Sequence, residues 1–179
     1  MVVPGASPDT VEFTLDLETA LKEADFVQEV CFKDSYRLYQ RSLLFLQSGP
    51  ERLDLKQKLY EQLEKYTSDR AIIASSSSGF PSSSFASQSA ERVLIGHPFN
   101  PPHLIPLVEV VPNPRTCPDV VERTVRFYKS LGKTPIVLNK EVKGFVANRI
   151  QAAVWKEAFS LVSEGVATTE DVGKLFPTF

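Results

Sequence analysis

The stretch "RVLIGHPFNPPHLIPLVEVVP", residues 92–112, decides how this chain folds. The segments 92–99 and 107–112 are apolar, rich in Val, Ile and Leu, and short enough to be strands. A proline-rich turn joins them, and the chain's two histidines, His97 and His103, lie at that turn. Glu109 is the single acid inside the second run. A turn of this size can fold the second strand back on the first and bring Glu109 against His97. A carboxylate beside an imidazole fixes its tautomer and stabilises its protonated form, which is what a general base needs. Spacing alone leaves a second arrangement open, in which His97 caps the turn and Glu109 sits on the surface of an edge strand.

Working outward, 24–30, 70–76 and 134–139 are further short apolar runs, and they alternate with helical patterns. Residues 51–67 place Leu53, Leu59, Tyr60 and Leu63 at helical spacing with charges on the other side. Residues 118–132 repeat the pattern with Val120, Val121, Val125, Phe127 and Leu131, and Gly132 is a helix stop. Strands followed by amphipathic helices predict an α/β fold with a mainly parallel, doubly wound sheet. The serine-rich segment 75–90 reads either as a linker or as a strand end opening into a short helix at Pro81; the second reading fits its place between two strands. From 143 to 165 one long helix is expected, with Ile150, Val154, Phe159 and Leu161 among its apolar positions. Thr168 is then an N-cap for a helix over 168–176. The expected division is a dinucleotide-binding portion over 1–141 and the start of an all-α domain over 142–179.

Composition narrows the function. A net charge of −2 gives no basic face for nucleic acid. Two cysteines, Cys31 and Cys117, make neither a disulfide scaffold nor a metal cluster, so no metal is expected and a reducing, cytoplasmic setting is. No apolar run approaches the ~20 residues of a membrane helix. Ser75 to Ser78 and His97 follow neighbouring strands, so they share one sheet edge, where open parallel sheets bind ligands. His103 reads as an exposed turn residue, Asn148 as a solvated polar residue, and Trp155 as core or interface.

The segments "IGHPFNPPHLIPLVEVVPNP" and "FYKSLGKTPIVLNKEVKGFVANRI" together resemble the NAD-dependent L-3-hydroxyacyl-CoA dehydrogenase family. "ADFVQE" and "GPERLDLKQKLYEQL" resemble its lambda-crystallin, L-gulonate and carnitine dehydrogenase branch. The resemblance implies a Rossmann-like sheet, NAD as cofactor, and oxidation of a 3-hydroxyl to a ketone in a 3-hydroxyacyl-CoA or small 3-hydroxy acid. It implies His97 as base, Glu109 as its partner, Ser78 on the substrate oxygen and Asn148 as the amide completing that pocket. It also implies Glu29, Lys56, Ser78 and Asn100 along the cofactor, and a homodimer for the family.

Three departures set further expectations. The eight glycines never form G-x-G-x-x-G, the family's phosphate-cradling turn. The sheet is therefore expected to be incomplete, lacking its first βαβ portion and leaving an exposed edge. Residues 31–48 interrupt the family pattern, and read as a surface loop or a translated intron. The tail "GKLFPTF", with Pro177 ending the last helix, predicts a shortened helical domain in which dimerisation is in doubt. An inactive remnant is accordingly the second functional reading.

Overall fold

In the computed structural model the described residues are 14, 16–31, 38–40, 43–48 and 52–175, with backbone alone at 31, 38–40 and 43–48. The segments at 1–13 and 176–179, including the Pro177 stop, and much of 32–51 lie outside them. The chain divides into two compact units, Met1–Lys143 and Gly144–Phe179.

The first unit is built on one sheet. Its strands are β1 (Phe26–Cys31), β2 (Leu38–Gln40), β3 (Leu43–Ser48), β4 (Ile72–Ser75), β5 (Val93–Pro98), β6 (Leu107–Pro112) and β7 (Thr134–Val137). Their order in space is β2-β3-β1-β4-β5-β6-β7. β3, β1, β4 and β5 run parallel, and β6 turns back antiparallel to β5 with β7 parallel to β6. The C-terminal ends of four parallel strands thus share one edge with the start of β6. The five strands expected from apolar runs are all present, and their neighbours alternate with helices as the pattern implied.

Of the two readings of 31–48, the surface loop does not hold at 38–40 and 43–48. Residues 38–40 and 43–48 are sheet strands rather than surface loop, and β3 pairs with β1 over Phe26–Cys31. β1 therefore has a partner on each side, and the expected bare edge beside it is filled. A five-residue helix, α1 (Leu17–Leu21), was also unforeseen; Asp16 caps it by accepting from the Thr19 amide at 3.4 Å.

Side chains alternate between the two faces of the sheet. On one face Phe26, Ile72, Ala74, Leu94, Val108 and Val110 pack with Val120 and Tyr128 of α3 (Pro118–Ser130). Phe127 stacks on Phe26 with ring centroids 4.0 Å apart. Gly132 follows α3 at φ 71°, the left-handed stop that glycine tolerates. On the other face α2 (Leu53–Tyr66) buries Lys56, Tyr60 and Leu63, and Tyr60 meets Phe85 at 4.5 Å. That second face carries Glu29, Ser75, His97 and Glu109.

The serine-rich segment is ordered, as the strand-end reading expects. β4 ends at Ser75, a single 3-10 turn follows at Ser82–Ser84 just after Pro81, and a second at Ala90–Arg92 leads into β5. Ser87 to Ser89 are held by one carboxylate: Glu64 accepts from the amides of Ser87, Gln88 and Ser89 at 3.0, 2.9 and 3.2 Å. Burial would raise its carboxyl, but these donors together hold it below the usual range.

The second unit holds α4 (Ala147–Ser163) and α5 (Thr169–Leu175). α4 begins four residues later than expected because Gly144 and Phe145 take left-handed φ values of 75° and 50°. Thr168 caps α5 by accepting from the Asp171 amide at 3.1 Å. Trp155 is 51% exposed, so it is not core, and Ile150, Val154 and Phe159 are exposed beside it on the same helix. No helix among the described residues is long and apolar enough to cross a membrane.

Candidate active site

β5 and β6 place His97 directly opposite Glu109 in their antiparallel register. Opposed residues on such a pair lie on one face within side-chain reach, and His97 Nδ1 lies 2.9 Å from Glu109 Oε2. Glu109 is fully buried and His97 is 8% exposed. An ionised carboxylate can only accept, so opposite it Nδ1 is the donor of this contact. Phe99 packs edge-on against the imidazole at 5.1 Å. The proline-rich turn closes the hairpin through Phe99 N–H donating to the Leu107 carbonyl at 3.2 Å, and Lys133 Nζ donates to the Pro102 carbonyl. His103 is exposed in the turn, as expected.

A second polar group lies under the ends of β1 and β4. Lys56 Nζ from α2 contacts both oxygens of Glu29 at 2.9 and 3.0 Å. Ser75 Oγ donates to Glu29 Oε2 at 2.5 Å. All three are buried. From Ser75 the chain turns in short steps: the Ser76 amide donates to the Glu29 carbonyl at 2.8 Å, Ser77 N–H to Ser75 Oγ at 3.1 Å, and Phe80 N–H to Ser77 Oγ at 3.0 Å. Ser78 sits exposed at the crest, and Asn100 is exposed just past β5. Glu29, Lys56, Ser78, His97, Asn100 and Glu109 are thus gathered at one edge of the first unit. Asn148 lies in the first turn of α4 in the second. Among the described residues no cluster of His, Cys, Asp and Glu could hold a metal ion.

Sequence reading missed the residues behind this edge. Gln28, Gly96 and Tyr128 meet on the α3 face, where a Cβ at Gly96 would overlap the Tyr128 hydroxyl and lie 2.9 Å from its Cζ. The glycine before His97 was the available signal, since glycine inside a strand marks close approach. Gly96→Ala is expected to cost about 1–3 kcal/mol through overpacking, read as a lower urea midpoint with unchanged slope.

Residues 32–142 match the family model for the 3-hydroxyacyl-CoA dehydrogenase NAD binding domain. Residues 144–178 match that for the C-terminal domain of the same family. The chain belongs to the 3-hydroxyacyl-CoA dehydrogenase family. A 3-hydroxyacyl-CoA dehydrogenase of Gibberella moniliformis is 49% identical over 164 residues, 90% of this chain and 45% of that protein. An L-carnitine dehydrogenase of Streptomyces griseus is 43% identical over 170 residues, 94% of this chain and 45% of that protein. Among solved structures, an NAD+-dependent dismutase, 5-formyl-3-hydroxy-2-methylpyridine 4-carboxylic acid 5-dehydrogenase, superposes with a TM-score of 0.77 at 32% identity. That match covers 96% of this chain and 50% of the other. The chain therefore spans about half the length of the relatives it matches.

Proposed function

We propose that this protein takes part in NAD-dependent oxidation of a 3-hydroxyl group to a ketone, with His97 as general base and Glu109 as its orienting partner. The observation that carries the reading is the buried His97–Glu109 contact at the C-terminal edge of parallel strands, in a chain of this family. That edge is where open α/β sheets take ligands.

The donor set at the edge suits the nicotinamide end of NAD. The exposed Ser78 hydroxyl follows β4 and the exposed Asn100 amide follows β5, and together they offer the donors and acceptors a carboxamide needs. When bound, NAD+ supplies the acceptor for the hydride leaving the carbinol carbon. His97 takes the hydroxyl proton at Nε2, and Glu109, already hydrogen-bonded to Nδ1, stabilises the imidazolium that forms. Ser78 donates to the substrate oxygen, and Asn148 is assigned the amide role that the family resemblance gives it. Glu29 and Lys56 hold the end of β1 against α2 beneath the cofactor edge. Substrates are 3-hydroxyacyl-CoA thioesters or small 3-hydroxy acids. The proline pair Pro101–Pro102 and the similarity to L-carnitine dehydrogenase support the small acids. Low cysteine use supports a cytoplasmic setting.

The test is NADH formation, followed by absorbance, with 3-hydroxybutyryl-CoA, free 3-hydroxybutyrate and L-carnitine, alongside calorimetric titration with NADH. Turnover of one of the three is expected. Heat-silent NADH titration with no turnover of any would leave the inactive remnant as the better account.

A further inference from the structure

We propose that Gln28 and Tyr128 form a positioning pair that sets the serine turn and the His97 strand relative to one another. The proposal rests on the oxidation reading above for what is being positioned, and on the following contacts for how.

Gln28 lies in β1 on the face opposite Glu29, and is buried. Its Nε2 donates to Ser76 Oγ at 2.9 Å and to the Gly96 carbonyl at 3.2 Å. Its Oε1 accepts from the Tyr128 hydroxyl at 2.5 Å. One amide therefore joins β1, the turn that leads to Ser78, the residue before His97, and α3. The Gly96 carbonyl, which can only accept, decides which way that amide faces: the NH2 end turns to it and to Ser76, with the Glu29 carbonyl a third acceptor at 3.4 Å, and Oε1 is left to accept from the Tyr128 hydroxyl. A flipped amide would set oxygen against the Gly96 carbonyl. Burial pushes the Tyr128 phenol far above its usual range, so it stays a donor throughout the neutral region. The missing Cβ of Gly96 is what lets the hydroxyl reach this place.

A core hydrogen bond could do no more than hold the fold together. What sets this one apart is its aim: Ser76 is two residues from Ser78, and Gly96 adjoins His97. With the serine turn and the imidazole strand tied to one amide, their spacing is fixed from behind, away from substrate. Positioning errors of ~1 Å in such groups can cost 10²-fold in rate.

The test is a double-mutant cycle of Gln28→Met and Tyr128→Phe, with Val120→Ala as a control that weakens the same core without touching the amide. Each single variant is expected to lower kcat about tenfold or more with KM within about twofold, and the double variant to be no worse than the poorer single. Val120→Ala, brought to a comparable melting temperature, is expected to keep wild-type kcat. A second arm needs no turnover: the ring nitrogen-15 shifts of His97 are expected to move in Tyr128→Phe, with exposed His103 as internal reference. Loss of kcat that merely follows melting temperature, Val120→Ala included, would overturn the pair. So would unchanged His97 shifts in both variants. If the wild-type chain turns over none of the substrates, the oxidation reading fails, and the shifts alone decide the pair.

Discussion

Replacing His97 with glutamine is expected to lower turnover by about 10²- to 10⁴-fold while the melting temperature stays within a few degrees of wild type. Glutamine fills similar space and can still hydrogen-bond Glu109, so the carboxylate at 0% exposure is not stranded. What is lost is an imidazole nitrogen able to accept a proton and return it. Glu109→Gln separates orientation from basicity. Its side-chain NH2 can donate to Nδ1, which would move the ring proton to Nε2, the nitrogen that has to receive the substrate proton. A drop of similar order is expected from that change alone. The double variant should be no slower than the His97 variant by more than a few-fold, because residues acting as one unit are not additive. Full activity in His97→Gln would remove the base assignment. Full activity in Glu109→Gln would show that the 2.9 Å contact serves the hairpin and not the chemistry.

The legibility of this site in the sequence follows from where its information is stored. The His97–Glu109 contact needs only two strands, a turn and an antiparallel register, all local to twenty-odd residues, so the spacing offers it as one of two arrangements and the β5–β6 register selects it. The register itself is enforced by alternation: slipping β6 by one residue would turn Glu109 to the other face. Gln28 and Tyr128 were not readable, because a hundred residues separate them and neither breaks a local pattern. β3 failed for another reason. Residues 31–48 show no clear period or turn chemistry, and a short apolar run such as Leu43–Leu46 without turn signals around it does not declare a strand. Pairing with β1 overrode that weak local signal. α4 began late because two left-handed residues precede it, and only glycine among them announces such a conformation.

Lys56→Met is expected to be the most destabilising single change, by about 3–5 kcal/mol. Lys56 Nζ sits 2.9 Å from Glu29 Oε1, and the two side chains are 2% and 0% exposed. Methionine has nearly the volume of the lysine stem, so the packing against Phe85, whose centroid lies 5.6 Å from Nζ, is largely kept. What remains is a carboxylate in the core with its cation gone and Ser75 Oγ still donating to it. Removing one partner of a buried ion pair is costly, and Glu29 would be driven towards its protonated form to reduce that cost. The variant should therefore regain stability on acidification, opposite to a protein losing a salt bridge to acid. The sign follows from the folded-state carboxyl being raised above its unfolded value: protonation then favours the folded chain. Adding Glu29→Gln should recover most of the loss, since neutral amide and thioether leave no bare charge and the Ser75 hydrogen bond survives. Urea denaturation of the three chains across the acid range reads all of this. A Lys56→Met chain as stable as wild type at neutral pH, or a double variant no better than the single, would mean that water or another donor reaches Glu29 and that the pair does not anchor β1 to α2.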